Sequence, residues 1–162
     1  MAFSLSDKVG SALESQSFNE MAVQSFYLGF EVWAKNSGYK HSGRWAHLMA
    51  KERKDSARNI IKYLLVAGEA PDIPSGDNAS TEFASLQDAF EKALALEEKE
   101  NGNVANVQNI LIRDGDWNTE DFWRRYIKRE NKSLKCLTKI LNLFSATDDP
   151  IEIDDKVKRF IE

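Results

Sequence analysis

The chain has 162 residues, 42% hydrophobic and 30% charged, a globular mixture whose length suits one domain, expected to span 1–162. Its 22 Lys and Arg against 26 Asp and Glu leave a net charge of −4, which argues against a dedicated nucleic-acid binder. No apolar run approaches about 18 residues and no charged-then-apolar leader opens the chain, so neither a membrane span nor a secretory signal is expected. The lone Cys136 can form no intrachain disulfide, which fits a reducing, cytoplasmic setting.

In chain order, Ser6 or Asp7 caps a first predicted helix over residues 6–36, which Ser37 and Gly38 stop. A second covers 41–67 and ends at Gly68. Residues 68–80 hold Pro71, Pro74, Gly76, Asp77 and Asn78 without periodicity and read as a connection. A third helix covers 82–113 and stops at Asp114-Gly115-Asp116. A fourth begins after Asn118 and Thr119, with Glu120 and Asp121 in its first turn, and ends near Ala146. A short fifth, over 151–161, follows Pro150. All 3 prolines avoid the periodic stretches, so the expected fold is all-α: a four-helix bundle with a short fifth C-terminal helix. Short links after helices one and three make those neighbours antiparallel. The long middle connection can run the length of the bundle and make helices two and three parallel.

Charged residues on the apolar stripes mark the place where chemistry could sit. Helix one carries Glu20 between Leu13 and Tyr27, and helix two carries Arg53 between Met49 and Ile60. Helix three carries Glu97 after Leu94, and helix four carries Glu130 between Tyr126 and Leu137. Each falls near mid-helix. Three inward carboxylates at one level resemble a hard-oxygen metal site suited to iron or manganese. A di-iron site would also need Glu-x-x-His, yet helix two reads Arg53-Lys54-Asp55-Ser56, and His41 and His47 lie off its core stripe. The other reading has Arg53 donating to the glutamates and replacing a metal's charge with a guanidinium.

Leu13-Glu14-Ser15-Gln16 to Tyr27, Ala50-Lys51-Glu52 to Lys62-Tyr63-Leu64, Ala67 to Pro71, Leu96-Glu97-Glu98 and Phe122-Trp123 to Glu130 together resemble bacterial-type non-haem ferritins over nearly the whole chain. The resemblance implies a ferritin-like bundle with its one long crossover, iron and O2 as small partners, and a homo-oligomeric hollow cage of 24 subunits. By position Glu20 and Glu97 match the family's ferroxidase glutamates, Glu130 a Gln or Glu position, and Tyr27 the tyrosine beside the site. Arg53 replaces the bridging glutamate and Ser56 the histidine. Of a third-iron site only Glu52 remains, with Arg129, Lys132 and Ser133 at its other positions. The resemblance thus implies iron storage with a degenerate di-iron centre.

Glu52 and Asp55, an i, i+3 pair at cavity-lining positions of the family, could bind Fe(II) and nucleate mineral, or form a solvated acidic face. Glu120 and Asp121 match the family's pore region, or simply complement a helix dipole. The basic run Arg124, Arg125, Lys128, Arg129, Lys132, Lys135 and Lys139 reads as a solvated face, and Trp33, Trp45 and Trp117 as packing residues. Three functions follow: a storage cage mineralising iron on inner acids, a ferroxidase working at residual Glu20, Glu97 and Glu130, and a non-catalytic structural cage subunit locked by Arg53.

Overall fold

The computed structural model describes residues 3–76 and 78–161; Met1, Ala2, Asp77 and Glu162 lie outside them. Five α-helices follow in order: α1 Asp7–Asn36, α2 Lys40–Val66, α3 Leu86–Asp114, α4 Trp117–Leu143 and α5 Pro150–Val157, the last continued by a 3₁₀ turn, Lys158–Phe160. No strand forms among the described residues. With 27 to 30 residues each, the four long helices run roughly 40–45 Å at 1.5 Å per residue.

Cap chemistry sets the ends. Ser6 Oγ accepts from the Val9 N–H, and Gly38 takes a left-handed φ of 87° past the end of α1. Two starts differ from the sequence expectation. Helix α3 begins at Leu86 rather than near residue 82, because Ser85 and Asp88 form a reciprocal box: Ser85 Oγ accepts from Asp88 N–H and Asp88 Oδ2 from Ala84 N–H. Helix α4 begins at Trp117, three residues before Glu120, because Asp116 is its N-cap and accepts from Thr119 N–H. Tyr39 gives α2 no side-chain cap; the buried Asp154 of α5 supplies it instead, accepting from Ser42 N–H at 2.7 Å and His41 N–H at 3.3 Å.

Cross-helix contacts fix the topology. Gln16 meets Glu100 and Phe30 meets Phe90, so α1 and α3 are antiparallel. Tyr63 meets Thr119, and Tyr126 O–H donates to the Ser56 carbonyl, so α2 and α4 are antiparallel. Trp45 lies against Phe90 and Arg53 against Glu97, so α2 and α3 are parallel, as a long crossover requires. That crossover follows α1: Glu69 lies by Gly10, Asp72 N–H donates to Glu14, and Ser80 presses on Gly29.

The apolar core is in two parts. One holds Val23, Tyr27, Phe30, Trp45, Phe90 and Leu137; the other holds Leu13, Ile60, Leu64, Val104, Trp123 and Tyr126. Along each of the four long helices the charged mid-residue falls between them. The fold therefore encloses a polar layer between two hydrophobic plugs.

Candidate functional site

Glu20, Arg53, Glu97 and Glu130 meet in that layer, each with no solvent exposure. An unpaired charge at such depth is costly, so the side chains are ordered by pairing. Arg53 Nη2 donates to Glu97 Oε2 at 2.5 Å and to Ser133 Oγ at 3.3 Å. Its Nη1 donates to Glu130 Oε1 at 3.0 Å and stands 3.7 Å from Glu20 Oε2. One guanidinium on α2 thus ties together α1, α3 and α4.

Sequence reasoning missed the second cation. Arg129 does not join the solvated basic face of α4: its side chain is 8% exposed, and Nη2 lies 2.7 Å from both Glu20 Oε1 and Glu130 Oε1. The signal was available as a charge count, since three buried glutamates against one arginine leave an excess of negative charge. A fourth acid, Glu100, lies one turn beyond Glu97 and is also buried. Gln16 bridges it to the cluster, donating to Glu100 Oε2 at 3.1 Å and to Glu20 Oε1 at 3.4 Å, while Asn103 donates to Glu100 Oε1. Four carboxylates and two guanidiniums therefore share one enclosed volume.

Their electrostatics follow from burial and from one another. Burial alone would lower the Arg53 pKa, but Glu97, Glu130 and Glu20 outweigh it and hold the guanidinium charged well above its ordinary range. Desolvation raises Glu97 to about 7, against the lowering pull of Arg53. Desolvation raises Glu100 as well. The excess of acids over arginines is thus eased by a proton held near neutral pH. Tyr27 is pushed well above the usual phenol range by burial and by the neighbouring Glu97 carboxylate. It stacks edge-on with Trp45, 5.6 Å between centroids, beneath the polar layer.

The donor set does not fit a metal ion. The space where a cation would balance Glu20, Glu97 and Glu130 is filled by two guanidiniums, which would repel it. Among the described residues no three His, Cys, Asp or Glu side chains are placed to share a metal. The Ser56 backbone carbonyl accepts from the Tyr126 hydroxyl. Glu97 Oε1, Glu130 Oε2 and Glu20 Oε2 still lack hydrogen-bond partners, so the lock leaves carboxylate capacity unused.

Glu52 and Asp55 stand apart from this layer, on the accessible side of α2. Asp55 is exposed, and Glu52 is half-buried in a depression of about 230 Å³ that Lys132 also lines. Glu120 and Asp121 lie in the first turns of α4, where Asp121 pairs with Arg124 at 3.4 Å. Trp117 does not pack within its own chain: placed at the first position of α4 by the Asp116 cap, it is 82% exposed, whereas Trp45 is buried and Trp33 partly buried.

The fold has close counterparts among solved structures. An engineered closed form of the Archaeoglobus fulgidus ferritin superposes with a TM-score of 0.89 at 18% identity, covering 96% of this chain and 97% of that one. The open-pore ferritin of the same archaeon gives 0.88 at 18%, covering 96% and 98%. In sequence, Ferritin BfrB of Mycolicibacterium smegmatis is 20% identical over 156 residues, 96% of this chain and 86% of that protein. A bacterial non-heme ferritin of Staphylococcus haemolyticus is 24% identical over 126 residues, 78% of this chain and 76% of that one. The ferritin family model, described as a ferritin-like domain, matches residues 10–147, and with most of its length so matched the chain belongs to the ferritin family.

Proposed function

We propose that this protein is a single-domain subunit of a homo-oligomeric ferritin-type shell, expected to have 24 copies, that stores iron in the cytoplasm while its own buried centre is closed by Arg53 and Arg129. Iron is the cargo and O2 its oxidant. Family membership and the ferritin relatives support storage. The observation that carries the closed centre is the pair of guanidiniums standing among Glu20, Glu97 and Glu130. Glu52 and Asp55 are then the acids left to make the first contacts with incoming Fe(II), since carboxylate oxygens suit that ion. No helix among the described residues is long and apolar enough to cross a membrane.

Aerobic iron loading of the purified assembly tests the proposal. Wild type should retain an iron core above a protein-free control, with slow initial oxidation. The Arg53→Glu/Ser56→His/Arg129→Gln triple substitution removes both guanidiniums and adds two ligands, and should raise that initial rate by about tenfold or more. A wild-type assembly without a retained core would refute storage. An unchanged rate in a folded triple variant would place oxidation away from Glu20, Glu97 and Glu130.

A residual ferroxidase is the second reading, favoured by the unpartnered Glu97 Oε1 and Glu130 Oε2. It requires both arginines to swing out. Wild type would then already oxidise Fe(II) rapidly, and Glu97→Gln would slow it.

A further inference from the structure

We propose that the groove between the end of α2 and the start of α4 is a binding site for a phosphate-type oxyanion, held by Lys62, Arg125 and Asn59. The site is independent of the iron reading.

Charge is strongly segregated in this molecule. Outside the buried layer, α2 and α4 carry twelve Lys and Arg side chains against four acids, Glu52, Asp55, Glu120 and Asp121. The chain as a whole has a net charge of −4. The two helices pack side by side through Tyr63–Thr119 and Tyr126–Ser56, so their accessible surfaces form one basic wall. Such a wall raises the local concentration of anions before any specific contact is made.

Within it, one depression has two cations and an amide along its edge. A groove of about 240 Å³ is lined by Asn59, Lys62, Tyr63, Val66, Phe122 and Arg125. It contains two cations and an amide, and no carboxylate. The ion pairs of the described residues engage neither Lys62 nor Arg125. Its floor is fixed: Tyr63 and Phe122 stack with centroids 4.2 Å apart, and the Tyr63 hydroxyl is committed to Thr119 at 2.9 Å. Arg125 lies over the Phe122 ring at 4.8 Å, which orders its guanidinium in advance of binding.

A guanidinium stacked on an aromatic ring, an exposed ammonium and an amide around a stacked aromatic floor suit a tetrahedral oxyanion with several acceptor oxygens. A divalent cation would meet only like charge. A carboxylate ligand would use fewer of the donors than phosphate does. The other depression on the same face, beside Cys136, is lined by both Glu52 and Lys132 and lacks this single-sign character.

Isothermal titration calorimetry of the assembled protein with inorganic phosphate, tripolyphosphate and a short DNA oligonucleotide tests the assignment. Phosphate and tripolyphosphate should bind saturably, more weakly as sodium chloride rises. Lys62→Ala/Arg125→Ala should weaken both by about tenfold or more. Lys135→Ala/Lys139→Ala, which removes equal charge further along α4, should change affinity by less than about twofold. Absence of saturable binding, or equal losses in the two pairs, would overturn the groove. Tighter binding of DNA than of tripolyphosphate at equal phosphate would overturn the small-oxyanion assignment in favour of nucleic acid. Unchanged melting curves for both pairs would exclude unfolding as the cause of any loss.

Discussion

Arg53 holds three helices through bonds that none of its partners can replace. Truncating it to alanine leaves Glu97 buried without its donor and Glu130 with Arg129 alone, and breaking a buried charge set from one side costs about 3–5 kcal/mol. Chemical denaturation of Arg53→Ala should show that loss. A loss under about 1 kcal/mol would mean that Arg129 and bound protons carry the layer alone. Proton binding in this layer has its own signature. Glu97 titrates near 7 in the folded chain against 4.5 as an ordinary side chain. Below about pH 4.5 it is protonated in both states and contributes no pH dependence. Between 4.5 and 7 the unfolded chain releases the proton while the folded chain keeps it, so stability falls as pH rises, by on the order of 1–3 kcal/mol, and levels off above 7. Glu97→Gln keeps an acceptor for Arg53 but has no proton to lose. Its stability relative to wild type should therefore rise from pH 5 to pH 8, and two curves that stay parallel would remove Glu97 as the titrating group.

At the scale of elements, two tertiary contacts complete what local sequence leaves open. A Cβ on Gly29 would lie 2.0 Å from the Ser80 carbonyl oxygen of the crossover. Alanine would gain up to about 1 kcal/mol of helix propensity, but the crossover backbone must move away, at about 1–3 kcal/mol. Gly29→Ala should therefore lower stability and make residues near Ser80 more susceptible to proteolysis; a stabilised variant would show that the crossover yields freely. Asp154→Ala removes the acceptor for two N–H groups at the start of α2 and should cost about 1–2 kcal/mol, with faster amide exchange at His41 and Ser42. These contacts also mark how far the sequence could be read. Helix order, the crossover and the inward Glu20, Arg53, Glu97 and Glu130 follow from proline placement and from a 3.6-residue period. The start of α3 at Leu86 was written locally in Ser85-x-x-Asp88, though the periodic stretch hid it. Asp154 as the α2 cap was not legible, because 112 residues separate it from Ser42. Arg129 was obscured by its basic neighbours: on a helix surface, periodicity cannot tell a cation facing water from one turned in beside Tyr126, whose ring it covers at 5.1 Å.

For the whole molecule, the decisive quantity is what the surface leaves uncovered. Leu28 and Val32 lie one turn apart on α1, 45% and 47% exposed, and Ile112 and Leu65 are also exposed near the end of the bundle where Trp117 projects. In the proposed shell, apolar side chains so grouped on long helices are the surfaces that neighbouring subunits would bury. Sedimentation should accordingly find a large closed assembly with little free monomer. Leu28→Glu/Val32→Glu places two charges on successive turns of α1, outside the bundle core, and should split that assembly into smaller species while circular dichroism keeps its helical signal. Trp117→Ala at the bundle's end tests a separate contact, so the two variants should yield different intermediates if both patches are interfaces. Iron retention links this scale to the function: a shell opened by Leu28→Glu/Val32→Glu should lose its stored core, even though Glu52, Asp55 and the closed centre are chemically unchanged. Retention of a full core by dissociated subunits would show that mineral grows on single chains, and the enclosed volume would then have no part in storage.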